Sequence, residues 1–133
     1  MILMKINRQD WQPLFQPFSK IELAYLFGSR VEESTHPDSD IDIALVVQME
    51  LTPQEEARLA AAISKVTDVK KVDIVHLNHA SSLLKYEAVA NGLLLYQAVN
   101  DDALNRFEMG VYREYFDSEP IRKLQYLYLL KEA

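Results

Sequence analysis

Two short apolar segments, separated by a polar stretch, constrain the fold of this chain more than any other feature. Residues 21–27 (IELAYLF) and 41–47 (IDIALVV) each have seven residues, most of them apolar, and both are rich in strand-forming types. Segments of this length and composition favour buried β-strands. The stretch between them opens with Gly28-Ser29 and includes residues 35–39 (THPDS), whose composition is typical of a loop. The sequence therefore predicts two strands joined by a polar connection.

The remaining segments predict two more strands and several helices. Residues 71–77 (KVDIVHL) alternate and are β-branched, which indicates a third strand, and residues 93–96 indicate a short fourth strand. Thr52 followed by Pro53 is typical of a helix start. Further helices are predicted over 10–18, 31–34, 81–90, 101–116 and 119–130.

Two details of these helices can be tested against the structure. After Pro53, three apolar residues recur at helical spacing and predict the buried face of that helix: Leu59, Ile63 and Val66. Asn91-Gly92 predicts a left-handed end for the helix over 81–90. The expected fold class is α/β (α+β), with a small mixed sheet of about four strands flanked by helices. We expect a single domain over 1–133, with a core at about 20–100 and a C-terminal helical extension at about 101–131.

Composition excludes several classes of function. The chain has no cysteine, so thiol catalysis and thiolate metal sites are excluded. Its net charge of −6 argues against a nucleic-acid partner, because such proteins carry a basic face that neutralises phosphates. No apolar run approaches the roughly 18 residues of a membrane span, and the first residues do not resemble a signal peptide. These features fit a cytoplasmic protein.

Two aspartates at the start of the second strand are the first candidate site residues. Asp40 and Asp42 are two residues apart, so in an extended strand they point to the same face, while Ile41 and Ile43 point into the core. Two carboxylates on one face repel each other unless a cation neutralises them. Oxygen ligands favour magnesium or manganese over zinc. A solvated strand end and helix-capping acids are the alternative interpretations of this pair.

Gly28-Ser29 and Asp73 extend this candidate site. A glycine lets the backbone approach a ligand closely, and exposed N–H groups beside a serine hydroxyl form an anion site. Asp73 lies in an otherwise apolar strand and would complete a three-carboxylate cage if that strand lay beside the Asp42 strand. An ion pair of Asp73 with Lys70 or Lys71 is the alternative.

These residues resemble the signature of the DNA polymerase β superfamily of nucleotidyltransferases, and specifically of the minimal nucleotidyltransferase (MNT) proteins. That signature is Gly-Ser, ten residues, Asp-x-Asp and a third Asp on a later strand, matched here by Gly28-Ser29, Asp40-Ile41-Asp42 and Asp73. The resemblance covers roughly residues 20–100 and implies the polymerase β-like nucleotidyltransferase fold. The aromatic C-terminal helices resemble those of MNT antitoxins that act beside a HEPN-domain toxin.

The resemblance also implies a chemistry. Asp40, Asp42 and Asp73 would be the catalytic and metal-binding residues for Mg²⁺, with two ions expected and Mn²⁺ possible in its place. Gly28 and Ser29 would hold the triphosphate of ATP, and Arg30 would contact phosphate. The implied reaction transfers AMP to a tyrosine of the cognate HEPN ribonuclease toxin and so neutralises it, within a hetero-oligomer of the two proteins.

Other interpretations stay open from the sequence. The chain could inhibit the toxin by steric binding without catalysis, or it could modify a small molecule, although such enzymes usually carry an added acceptor domain. His76 and His79 are expected at the surface, and His36 in the loop before Asp40. The tail tyrosines are expected to pack helices, with a partner surface as the alternative; they are Tyr112, Tyr115, Tyr126 and Tyr128.

Overall fold

A four-stranded mixed sheet lies between two layers of helices in the computed structural model, which describes residues 8–28 and 40–132. The elements in chain order are α1 (Arg8–Phe15), β1 (Ile21–Phe27), β2 (Ile41–Val47), α2 (Pro53–Thr67), β3 (Val72–His76), α3 (Ser82–Ala90), β4 (Leu93–Gln97), α4 (Asp101–Asp117) and α5 (Glu119–Glu132). A short 3-10 helix, Leu77–His79, follows β3. The helix predicted over 31–34 lies outside the described residues. Among the helices of the described ranges, none combines the length and the apolar character that a membrane span requires.

The strand order is β3-β2-β1-β4. β1 is antiparallel to both of its neighbours, and β2 is parallel to β3. A parallel pair needs a crossover connection, which α2 provides here. This topology confirms the predicted mixed sheet. It also brings the end of β1 and the starts of β2 and β3 to the same edge of the sheet.

One face of the sheet is covered by α1 and α2. Ile41, Ile43 and Leu45 of β2 are fully buried in this layer. The helices contribute apolar side chains that belong to the same cluster: Trp11, Phe15, Leu59 and Ile63. A buried stripe of this kind places the polar sides of both helices toward water.

The predicted buried face of α2 was wrong at its last position. Leu59 and Ile63 are buried, but Val66 is 41 % exposed. Thr67, one residue further on, is buried instead, and its hydroxyl donates to the Ile63 carbonyl oxygen at 2.8 Å. The buried face of α2 therefore continues four residues after Ile63 rather than three. The residue at that position is Thr67, whose hydroxyl group is hydrogen-bonded.

The opposite face is covered by α3 and α4. Leu23, Tyr25 and Ala44 of the sheet belong to this second cluster with Ala88 of α3, and Phe107 of α4 packs against it. The Tyr25 hydroxyl donates to Glu108 Oε2 at 2.7 Å, which ties α4 to the middle of β1. Burial, followed by this carboxylate, raises the pKa of Tyr25 far above its usual value.

The helix ends show one confirmation and one correction. Thr52 and Glu55 form a reciprocal capping box before α2, as the Thr52-Pro53 start predicted. The left-handed end predicted at Asn91-Gly92 was wrong, because Asn91 is right-handed and Gly92 is absent from the positive-φ residues of the described chain. Gly92 is needed for space: a Cβ there would collide with the Ala88 carbonyl oxygen and would lie 2.6 Å from that of Leu26.

The tail tyrosines behave in two different ways. Tyr115 stacks on Tyr86 of α3 with ring centroids 3.8 Å apart, and Tyr112 meets Tyr86 edge-on at 5.8 Å, so these two pack helices as predicted. Tyr126 and Tyr128 are exposed, and the packing predicted for them was wrong. They lie on α5, which carries several more exposed apolar side chains.

Candidate active site

Asp42 and Asp73 lie side by side on adjacent parallel strands. The β2–β3 register pairs Ile41 with Val72 and Asp42 with Asp73. Paired residues of neighbouring strands project to the same face, so both carboxylates lie on the side of the sheet that α3 and α4 cover. Ile41 and Ile43 are fully buried on the other side, as the alternation predicted. The prediction for Asp73 required its strand to lie beside the Asp42 strand, and β3 does lie beside β2.

Gly28 lies directly against the Asp42 carboxylate. Phe27 of β1 pairs with Asp42, so the residue after Phe27 leaves the sheet at that carboxylate. Gly28 has φ +86°, in the left-handed region that glycine adopts without strain. A Cβ at this position would lie 2.5 Å from Asp42 Oδ2, so the Asp42 carboxylate would have to move away. The backbone conformation therefore favours glycine here, and a larger residue would also displace the Asp42 carboxylate.

Asp40 comes just before β2 and contacts a lysine. Lys71 Nζ lies 3.5 Å from Asp40 Oδ2. The pairing of the two strands explains this contact, because continuing the register by one residue beyond Ile41 and Val72 places Asp40 beside Lys71. The Ile41 N–H also donates to the Lys71 carbonyl oxygen at 3.0 Å, which fixes the lysine backbone at this edge.

The electrostatics of the site centre on Asp42. Partial burial raises the pKa of the Asp42 carboxyl above its usual value, and the charges of Asp73 and then Asp40 raise it further. Lys71 opposes these effects but does not cancel them. A raised carboxyl pKa means that the ionised form is disfavoured in this protein without an added cation. The three acids therefore form a region of negative charge that Lys71 compensates only in part.

The candidate site residues fall into two groups. Gly28, Asp40, Asp42 and Asp73 lie together at one edge of the sheet. Ser29 and Arg30, which were predicted to hold phosphate, lie outside the described residues. His36 lies outside them as well.

The histidines of the described chain lie outside this group. His79 is exposed beside Glu50 at 3.4 Å, as expected for a surface residue. The surface position predicted for His76 was wrong: it ends β3, and its Nε2 atom is buried without a hydrogen-bond partner.

The donor chemistry of these acids fits a hard divalent cation. Carboxylate oxygens are the protein ligands that Mg²⁺ and Mn²⁺ prefer, and Asp42 lacks full charge compensation. Within residues 8–28 and 40–132, no three acidic or histidine side chains are close enough together to hold a metal ion at once. Asp40 contacts Lys71 instead. Binding of a cation by all three acids would therefore require the Asp40 carboxylate to leave Lys71 and bind the cation instead.

Lys71 is the residue of this site that the sequence interpretation placed wrongly. The sequence suggests Lys71 only as a surface partner of Asp73, whereas in the structure Lys71 contacts Asp40. A signal was available, because Lys71 precedes Asp73 by two residues just as Asp40 precedes Asp42. If Asp42 and Asp73 are paired on parallel strands, the residues two positions earlier are paired as well.

A family model and a sequence relative both indicate that the chain is similar to nucleotidyltransferases. The family model described as polymerase beta, nucleotidyltransferase, matches residues 9–101. The protein adenylyltransferase MntA of Shewanella oneidensis is 36 % identical over 85 residues. That alignment covers 64 % of this chain, and the chain spans 60 % of the length of that relative.

Similar solved structures are toxin–antitoxin complexes. A crystal structure of a toxin–antitoxin pair with AMP-PNP has a chain with a TM-score of 0.74 and 29 % identity, covering 93 % of this chain and 98 % of that one. A structure of the tri-AMPylated Shewanella oneidensis HEPN toxin with its MNT antitoxin has a chain with a TM-score of 0.68 and 27 % identity. That alignment covers 98 % of this chain and 99 % of the other. The described fold is therefore shared along nearly the whole chain.

Proposed function

Because the chain belongs to the polymerase β nucleotidyltransferase family, we propose that it is an antitoxin that transfers AMP from ATP to a tyrosine of a HEPN-domain toxin. The observation that carries the proposal is the pairing of Asp42 with Asp73 on adjacent strands, with Gly28 against Asp42. The relative named as a protein adenylyltransferase and the complex with an AMPylated toxin support the acceptor class. The complex with AMP-PNP supports ATP as the donor.

In this proposal the three aspartates hold divalent metal, and the strand ends hold the nucleotide. Asp40, Asp42 and Asp73 bind Mg²⁺, with two ions expected and Mn²⁺ able to replace them. Bound divalent ions would polarise the phosphoryl oxygens and stabilise the charge that develops on the attacking and leaving oxygens. We assign the triphosphate to the backbone at Gly28 and Ser29 and to Arg30, because a glycine lets the backbone approach a ligand closely.

The reaction follows from these assignments. The tyrosine hydroxyl oxygen attacks the α-phosphorus of ATP, and the bond from that phosphorus to the oxygen bridging to the β-phosphate breaks. In this proposal Asp73 accepts the hydroxyl proton, and pyrophosphate leaves with the negative charge. Most of the rate enhancement then comes from positioning and from charge neutralisation, as is general for phosphoryl and nucleotidyl transfer.

Neutralisation of a ribonuclease follows from the product. An AMP group near the ribonuclease site adds bulk and negative charge where an RNA backbone would bind, and like charges repel. The reaction is assigned to the cytoplasm, where ATP and the toxin would both be present. Residues 1–133 are treated as one nucleotidyltransferase domain.

The experiment is transfer of label from ATP to the toxin. The purified chain is incubated with ATP labelled at the α-phosphate, MgCl₂ and the HEPN-type protein encoded beside it. Label on the toxin, lost in Asp42→Asn and in Asp73→Asn but kept in the distant surface variant Glu50→Gln, supports the proposal. An unlabelled but neutralised toxin would contradict it and would indicate inhibition by steric binding. Label on a small molecule alone would also contradict it.

A further inference from the structure

Lys71 is a cation whose backbone is held at the edge of the carboxylate site. Its ammonium group lies 3.5 Å from Asp40 Oδ2, and its carbonyl oxygen accepts a hydrogen bond of 3.0 Å from the Ile41 N–H. Ile41 separates Asp40 from Asp42. The backbone bond therefore ties Lys71 to the part of β2 that carries both acids.

We propose that Lys71 is an internal counter-cation of the carboxylate site, which neutralises Asp40 when no metal is bound and releases it to the metal. The inference rests on the proposed function, since it assumes that Asp40 is a metal ligand together with Asp42 and Asp73. It adds a residue that binds neither metal nor nucleotide but sets how tightly metal is bound.

The ion pair between Lys71 and Asp40 is weak enough for a metal ion to replace the lysine. The side chain of Lys71 is 66 % exposed and that of Asp40 is 41 % exposed, so water screens their attraction. Exposed ion pairs of this kind contribute little to the stability of the folded state. A divalent cation can therefore displace the ammonium group, and the flexible lysine stem lets that group move away. The lysine backbone stays in place because the strand pairing holds it.

The charges of the three acids explain what Lys71 does in the metal-free protein. Three carboxylates lie together at this edge, and Lys71 is the cation that acts on Asp42 among the described residues. Without it, the mutual repulsion of the acids in the metal-free protein would be larger. With it, an incoming metal ion meets a positive charge as well as three negative ones. Lys71 thus stabilises the metal-free site and weakens metal binding.

Direct measurement of Mn²⁺ binding tests the proposal without the enzymatic reaction. The nucleotide-free chain is titrated with MnCl₂ and free Mn²⁺ is followed by electron paramagnetic resonance. Removal of an exposed ion pair that metal binding has to break tightens binding about two- to fivefold. Lys71→Met shows this gain, Lys71→Arg stays near wild type, and Lys70→Met, the same charge change at the next residue, changes binding less than about twofold.

Thermal unfolding gives a second measurement. In EDTA, Lys71→Met melts about 1–3 °C below wild type, because an ion pair is lost and the acids are less well neutralised. Saturating MnCl₂ removes this difference, because bound metal replaces the lysine charge and stabilises the folded state. A lysine with a merely structural role would keep the difference with metal present.

The outcomes separate this inference from the proposed function. Unchanged or weaker Mn²⁺ binding in Lys71→Met, with binding still lost in Asp42→Asn, overturns the role of Lys71 alone. Equal gains in Lys71→Met and Lys70→Met also overturn it, because they indicate a general charge effect. Mn²⁺ binding that is absent from wild type, or unaffected by Asp42→Asn, overturns the metal site and the inference together.

Discussion

Replacement of Asp42 by asparagine should stabilise the metal-free protein while it abolishes activity. In the folded chain the Asp42 carboxylate is partly buried and faces the charges of Asp73 and Asp40. Asparagine has nearly the same shape and no charge, so it removes the repulsion without leaving a cavity. A residue that is retained at a cost in stability is expected at a functional site rather than at a structural one.

The distance between neighbouring strands sets the size of the stability gain expected for Asp42→Asn. Neighbouring strands lie about 4.8 Å apart, and two unit charges at about 5 Å interact with about 0.8 kcal/mol when water dominates the screening. Asp40 adds repulsion, and Lys71 opposes it with a smaller effect. The net gain from Asp42→Asn is therefore about 1 kcal/mol, which corresponds to a rise of about 3–5 °C in melting temperature for a domain of this size.

The pH dependence follows from the direction of the pKa shift. The pKa of Asp42 is higher in the folded chain than in the unfolded chain, so the folded state binds the proton more tightly. The destabilisation is therefore present above the folded pKa, and it disappears as the pH falls through that pKa and the carboxyl becomes neutral. Asp42→Asn should exceed wild type in stability at pH 7.5 and match it near pH 4.

The assay is thermal denaturation in EDTA at several pH values, followed by circular dichroism. Glu50→Gln is the matched control, since it removes one negative charge at an exposed position whose ion-pair partner among the described residues is His79. Asp40→Asn is the contrast within the site: its carboxylate is paired with Lys71, so its removal should give no gain. A lower melting temperature for Asp42→Asn, or a gain independent of pH, would refute the reasoning.

Three further substitutions test the packing around the site. Gly28→Ala should lose about 1–2 kcal/mol of stability in urea denaturation from its left-handed backbone alone, and it should weaken Mn²⁺ binding because the new Cβ displaces the Asp42 carboxylate; unchanged stability would contradict the φ of +86°. Gly92→Ala should lose more, about 3 kcal/mol, because its Cβ meets two backbone carbonyl oxygens; a loss below that of Gly28→Ala would argue against this close packing. Tyr25→Phe should lose about 1.5–3 kcal/mol, because the buried hydroxyl donates to the Glu108 carboxylate at 2.7 Å; stability within error of wild type would show that the bond is replaced by water.

Local sequence patterns predict much of this fold. β1 and β2 begin and end where their apolar segments do, at residues 21–27 and 41–47. Thr52 starts α2 because its hydroxyl and the Glu55 carboxylate satisfy each other's backbone N–H groups, which is a strictly local arrangement. Segments of this kind are predictable because strand burial and helix capping depend on residues close together in the chain.

The errors occur where distant parts of the chain decide the outcome. Asn91-Gly92 suggested a left-handed helix end, but glycine is needed at position 92 for space beside two carbonyl oxygens, of Ala88 in the preceding helix and of Leu26 in the distant strand β1. Tyr126 and Tyr128 suggested packing, but no described element covers α5 on their side. The sequence could supply the acids of the site, but the strand order that brings Lys71 to Asp40 is a tertiary property.

Anomalous diffraction from a crystal grown with MnCl₂ and a non-hydrolysable ATP analogue tests the central claim most directly. The account predicts a manganese peak about 2.0–2.3 Å from carboxylate oxygens of both Asp42 and Asp73, with the triphosphate at the Gly28 turn and Asp40 detached from Lys71. Manganese bound away from these aspartates, or a triphosphate on another face of the sheet, would contradict the account.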